Sequence, residues 1–292
     1  MKTNLRRKCH RSSAICVLVT LLLGISTVVA ASGQSFTSFD FPGAIDIEAT
    51  GITPSGVIVG RYTSADGKAH GFLMSGGTFV SIDFPGAIST DTTWINPRGQ
   101  IVGSYNSPDG KSHGYLLSDG NFTQIDYPGA NATTAFGISP AGDIVGLWSP
   151  APGGLHGYLL SKGNFTTIHF PGALWTLPTM IVGNRIVGGY FDHNFTAHGF
   201  LLQKGNFQNI DCPGYTNLFL SGLNPVGEMT GGFTSTDGTQ HGALVHDGVC
   251  TQIDFPGGTG TYANAINPQG DIVGRYASSN GGVHGYLRTH AK

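Results

Sequence analysis

Charge, cysteine and glutamate are all scarce in this chain. Lysine, arginine, aspartate and glutamate make up 11% of its 292 residues. No basic surface follows from that, and nucleic acid is excluded as a partner. Of four cysteines, Cys9 and Cys16 stand near the start, leaving Cys212 and Cys250 for the body of the chain. Two cysteines cannot staple a domain of this size. Glutamate occurs only twice, at Glu48 and Glu228, and no Ala/Leu/Glu-rich stretch offers a helical period. Helical arrays are thereby excluded. Residues 14–29 form the single long apolar run, sixteen residues, short for a full membrane span.

That run has a setting. Lys2, Arg6, Arg7, Lys8 and Arg11 precede it, and small residues including Val28 and Ala30 follow. The layout predicts a secretory signal peptide over residues 1–30 and a mature domain over 31–292, secreted or periplasmic, with no membrane segment after cleavage. The mature part keeps 10 basic residues against 17 acidic ones, about −7. It is rich in glycine (46 in the whole chain), phenylalanine (17) and tyrosine (10). Tight turns and bulky apolar packing of this kind point to an all-β domain.

The internal repeat is the dominant signal. "HG" recurs at His70, His113, His156, His198, His241 and His284, in steps of 43, 43, 42, 43 and 43. "PG" recurs from Pro42 to Pro256 and the "IVG" glycine from Gly60 to Gly274, six times each. A period in the low forties fits a four-stranded propeller blade. In residues 87–129 the strands are expected to end near "TTWI", then to run through "QIVGSYNS", "HGYLL" and "NFTQIDY". "SDGN" reads as a two-residue hairpin with Asp119-Gly120 at its tip.

Pairing outward from that tip sets His113 opposite Asp126. The same count sets His70 opposite Asp83, His198 opposite Asp211 and His241 opposite Asp254. These histidines are therefore expected to be structural, one cross-strand pair per blade. His284 has no downstream partner, yet "FTSFDF" at residues 36–41 is an orphan fourth strand carrying Asp40. Pairing the two completes the count. The expected fold is an all-β, six-bladed β-propeller of four-stranded blades, closed by the N-terminal strand, which leaves no open edge.

The repeated "GxxHGFLLxxGxFTxIDFPG…GINPxGxIVG" pattern resembles the extracellular HAF-repeat family, bacterial secreted proteins named for a His-Ala-Phe tripeptide. The resemblance covers residues 36–288. The tripeptide reads "HGF", "HGY" or "HGA" here, and no tryptophan follows the leucine. The resemblance implies secretion and a propeller-like array; it implies no catalytic residue and no substrate.

Departures from the repeat mark candidate sites, because function is grafted onto folds. His169 stands where the other fourth strands carry Asp, opposite His156. The fourth unit loses "GINPxG" and brings in Trp175, Arg185, Asp192 and His193. His156, His169, Asp192 and His193 are expected to gather on one face. With Trp175 and Arg185 they form a candidate ligand site, suited to a sugar or, through three imidazoles and a carboxylate, a metal. No close metal-ligand spacing supports the latter, and no metal or cofactor is implied. No Ser-His-Asp arrangement stands out, and the glycines are turn residues, not a nucleotide cradle. "NFT" at Asn121, Asn164 and Asn194 and "NAT" at Asn131 match the N-glycosylation pattern. Cys212 and Cys250 replace aromatics of the repeat. Strand directions place them toward opposite ends of a sheet, so two free, buried thiols are expected.

Together these features describe a secreted, monomeric binding or scaffold module for a glycan or protein ligand. The competing class is an extracellular propeller enzyme, a polysaccharide lyase or hydrolase or a lactonase-like metal-dependent hydrolase.

Overall fold

The computed structural model describes residues 22–23, 26–31, 34–151 and 153–290. Of the expected signal peptide, residues 1–21 and 24–25 lie outside the described residues. Leu22–Leu23 and Ser26–Ala31 are short strands, the second running antiparallel along Gln34–Phe39. No helix among the described residues is long and apolar enough to cross a membrane. Every regular element described is a strand.

The chain is a β-propeller of four-stranded blades. In the first unit the strands are Ala44–Ile52, Ile58–Ser64, Ala69–Ser75 and Thr78–Ile82, paired in chain order. The second, third, fourth and fifth units, spanning residues 89–125, 132–168, 175–210 and 216–253, are separate four-stranded sheets. The last unit contributes Gly260–Ile266, Ile272–Ala277 and Val283–His290. Gln34–Phe39 pairs antiparallel with its third strand, Gly285 opposite Phe39.

Turn chemistry accounts for the outer hairpins. Asp119 and Gly120 have φ of 52° and 76°, both positive as a type I′ turn demands. Lys162-Gly163, Lys204-Gly205 and Asp247-Gly248 repeat this geometry. The inner strand of each blade carries one extra residue, at Thr50, Thr93, Phe136, Thr179, Ser221 and Asn264. Opposite this bulge sits the "IVG" glycine. A Cβ on Gly103 would run into the Asp91 carbonyl oxygen, so the bulge admits no side chain there.

Two devices lock neighbouring blades. The bulge side chains reach the next unit: Thr50 Oγ1 donates to Thr92 O at 2.9 Å, Thr93 to Ala135 O at 2.8 Å and Thr179 to Leu220 O at 2.9 Å. Asn264 Nδ2 of the last unit donates to Ala49 O of the first at 2.8 Å. At the far turns the Asn of "NPxG" folds its own loop and staples the next: Asn96 Oδ1 accepts from Arg98 N and Gln100 N while Nδ2 donates to Ser139 O. The second device is aromatic. Phe84, in the crossover after the first unit, stacks on Tyr105 at 3.6 Å and meets Phe122 edge-on at 5.1 Å. Each such pair adds about 0.5–1.5 kcal/mol beyond burial.

The cysteines correct the sequence-based expectation. Cys212 and Cys250 form a disulfide, with Cα atoms 5.7 Å apart and a sequence separation of 38. They are not at opposite ends of one sheet. Cys212 lies in the crossover that leaves the fourth unit, and this crossover folds over the outer strand of the fifth, which carries Cys250. That is the position of the edge-on pairs Phe41–Phe79 and Phe84–Phe122, separated by the same interval. A covalent bond has replaced an aromatic contact.

Candidate functional site

The repeated histidines meet the partners expected for them. His70 Nδ1 lies 2.7 Å from Asp83 Oδ1, His113 2.8 Å from Asp126, His198 3.0 Å from Asp211 and His241 2.9 Å from Asp254. His284 Nδ1 reaches Asp40 at 2.8 Å. The ring faces are occupied too: His70 stacks on Tyr62 and His113 on Tyr105. Nε2 of His70, His241 and His284 meets Ser64, Ser235 and Ser278. With both nitrogens engaged, His70, His241 and His284 hold the blade edge together and are not free for a ligand.

The six residues singled out in the third and fourth units do not form one cluster. His156 and His169 face each other with ring centroids 6.5 Å apart. Asp192 belongs to its own blade: Oδ1 accepts from Asn194 N and Thr196 N, and Oδ2 lies 3.7 Å from His198 Nε2, where other units use serine. Arg185 sits at the other end of the strand Arg185–Phe191. Its Nη2 donates to Pro225 O at 2.7 Å and to Asn224 O at 3.4 Å, taking over the staple that the lost "NPxG" asparagine makes elsewhere. His193 is exposed, and Trp175 packs edge-on against Phe191 and Phe195. No group of three or more His, Cys, Asp or Glu among the described residues is arranged to hold a metal ion. His169→Asp is expected to stabilise the chain by about 0.2–1 kcal/mol, by giving His156 the carboxylate its counterparts have. A fall in melting temperature for this variant, measured by calorimetry, would contradict that role.

A different set of residues converges on the centre. A pocket of about 450 Å³ is lined by inner-strand side chains from all six units. Its wall is built from three positions of the repeat. One is the inner-strand series Glu48, Asp91, Thr134, Phe219 and Tyr262, and a second is the bulge residues of the six units, from Thr50 to Asn264. The third is the cross-strand partners Arg61, Ser104 and Arg275, opposite Glu48, Asp91 and Tyr262.

The wall is divided by chemistry. On one side Glu48 is held by Arg61 Nη2 at 3.0 Å, Arg275 Nε at 3.1 Å and Asn264 Nδ2 at 3.0 Å. Asp91 stands beside it with Oδ1 3.8 Å from Arg61 Nη1. That oxygen is buried and accepts no hydrogen bond among the described residues. Burial raises the Asp91 carboxyl above its ordinary range, against the pull of Arg61. On the other side stand Phe219 and Tyr262. Their rings occupy the space over Gly189 and Gly232, where a Cβ would collide with them. Burial pushes the Tyr262 hydroxyl up to about 12, and Arg275 lies 5.9 Å from the ring centroid. Farther along the axis the lining turns apolar, with Ile52, Ile95, Ile138, Met180, Leu223 and Ile266 closing towards the "NPxG" turns.

Sequence reasoning passed over these residues because it looked for rare residue types and lost motifs. The usable signal was different. Within an otherwise constant frame the residue after the "IVG" glycine changes from Arg to Ser, Leu, Gly, Gly and back to Arg over the six units. So does its partner on the inner strand.

No family model matches the chain, and no curated protein matches it. Solved structures do match in fold. AofleA from Arthrobotrys oligospora is 12% identical, with 88% of this chain and 86% of that chain covered and a TM-score of 0.56. The Aleuria aurantia lectin, described as a six-bladed β-propeller with a novel fucose recognition mode, is 13% identical over 91% of each chain, TM-score 0.51. SapL1 lectin in complex with α-methyl fucoside is 10% identical, with 84% and 93% covered and a TM-score of 0.56. Identity at this level supports the propeller fold alone.

Proposed function

We propose that this chain is an extracellular or periplasmic carbohydrate-binding module, built as a closed ring of six blades with one glycan site at its centre. The observation that carries this reading is the divided wall of the central pocket. A pyranose ring has an apolar C–H face and a rim of hydroxyls. The Phe219 and Tyr262 side of the pocket suits the face. The partly exposed Asp91 carboxylate and the Glu48-anchored guanidinium groups suit the rim. Opposite charges balance there, which favours a neutral sugar. The lectins of similar fold, two of them described with fucose or a fucoside, support the same ligand class. The antiparallel pairing of Gln34–Phe39 with the last blade, and the bonds from Asn264 to Ala49 and from Asn267 to Thr53, support closure. Secretion rests on the basic, apolar leader and on the HAF-repeat resemblance.

A second reading has one observation in its favour. Glu48, tied to two arginines, and Asp91, raised by burial, are two carboxylates of unlike environment in one pocket, the pattern of a general acid paired with an anionic partner. It makes the module a glycoside hydrolase.

A glycan array followed by calorimetric titration tests both. One ligand per chain is expected, and Asp91→Asn and Tyr262→Leu are each expected to weaken binding about ten-fold while the melting temperature holds. Failure of every glycan to bind, or equal binding by both variants, would sink the reading. Release of reducing sugar by the parent and not by Asp91→Asn would establish the hydrolase instead.

A further inference from the structure

The fourth unit carries a feature that neither the fold nor the central pocket uses. Phe195 is 62% exposed and has φ of +62°. A bulky side chain rarely adopts that conformation. In the corresponding turns the residue is glycine: Gly67, Gly110, Gly238 and Gly281, with φ from 81° to 86°. Phe195 N donates to Asp192 O just as those glycines donate to their serines, so the turn itself is unchanged. The chain has placed an aromatic ring where it costs backbone energy and buries little.

A second substitution accompanies it. Trp175 opens the inner strand of the same blade, where the other units have Asp46, Ser89, Ala132, Asn217 and Gly260. Its ring meets Phe195 at 5.6 Å and its cross-strand partner Phe191 at 5.7 Å. Phe191 in turn lies 6.4 Å from Phe219, which lines the central pocket. An aromatic track therefore runs from the exposed rim of the fourth blade to the apolar wall of the pocket. Polar groups border its outer end. His193 and Asn194 are exposed, and Asn217, also at positive φ (55°), holds the loop through Oδ1, which accepts from Ala197 N at 3.2 Å.

We propose that this track is a second subsite, and that the ligand is a glycan chain of several neutral sugar residues with its end in the central pocket and its body on Trp175 and Phe195. The inference rests on the carbohydrate-binding reading and names its ligand as a chain, not a single sugar. Strain retained at an exposed position is the mark of a functional constraint. Aromatic planes bordered by amide and imidazole groups fit sugar faces and hydroxyls, and continuity with the pocket gives the chain a direction.

Titration with methyl α-L-fucoside and with neutral cello-, xylo- and chito-oligosaccharides of two to six residues tests this in the full chain. Parent affinity is expected to rise with chain length. Phe195→Gly and Trp175→Ser are expected to leave monosaccharide binding within about two-fold of the parent but to lose about ten-fold on the longest ligand. Phe195→Gly is also expected to melt higher, because glycine relieves the positive φ. Affinity independent of length in the parent, or a length gain retained in both variants, would overturn the subsite while leaving the pocket intact. If no sugar binds the parent at all, both readings fall. A parent that sediments as a dimer and becomes monomeric with Phe195→Gly would assign the platform to a second copy of the chain and overturn the proposal.

Discussion

A chain lacking residues 34–41 is expected to lose its cooperative melting transition. The segment contributes Phe36, Phe39 and Phe41, exposed by only 4%, 2% and 6%. Phe39 packs at a tilt against Phe79 of the first blade, and Phe36 packs between Phe255 of the crossover after the fifth unit and Tyr286 of the last blade. Burying one such ring contributes roughly 1.5–3 kcal/mol, so three account for about 5–9 kcal/mol. That approaches the whole stability of an ordinary domain, about 5–15 kcal/mol. The deletion also strips a full ladder from Val283–His290 and leaves His284 without Asp40. A permutant that carries residues 34–41 after His290 instead is expected to melt near the parent temperature, because in the proposed ring pairing and not covalent order makes the closure. Circular dichroism melts and sedimentation of the parent, the deletion and the permutant decide the matter. A deletion that melts with the parent and stays monomeric would refute the closed ring.

The disulfide carries the second large effect. Replacing Cys212 and Cys250 with serine is expected to destabilise the chain by about 4 kcal/mol on the loop-entropy account, a fall in melting temperature of about 10 °C. Restoring the consensus is subtler than exchanging both cysteines for phenylalanine. Tyr215 already packs at a tilt against Phe233, with ring centroids 4.0 Å apart, in the space the crossover aromatic fills elsewhere. The equivalent residue of the first four crossovers is alanine. Cys212→Phe with Cys250→Phe is therefore expected to overpack, at a cost of roughly 1–3 kcal/mol. Adding Tyr215→Ala is expected to recover most of the loss. Calorimetry of the three variants tests the series, with intact mass after alkylation as the control. Alkylation of the unreduced, denatured parent would disprove the bridge itself.

Much of the blade was legible in the residues, and the reasons are local. Turn tips such as Asp119-Gly120 state their own backbone geometry, and an antiparallel hairpin then sets every partner by counting outward, which is how His113 finds Asp126. Contacts between blades were less accessible. Cys212 seemed far from Cys250 because strand polarity was followed within one sheet, while the crossover actually lies over the next. Arg185 drew notice because it enters where the fourth unit loses "GINPxG", yet its guanidinium is spent on two carbonyl oxygens of the following unit.

By itself the sequence determined the period, the four-stranded unit, the hairpin registers and the histidine–aspartate pairs. All of these depend on residues close along the chain or spaced by one repeat. Only the tertiary structure decided which positions meet at the centre. Glu48, Asp91, Phe219 and Tyr262 come from different blades, and Gly189 and Gly232 matter for the rings that lie over them. Convergence on an axis is a property of how blades are set around one another, and side chains more than 200 residues apart, such as Glu48 and Arg275, become ion pairs only when that arrangement is formed.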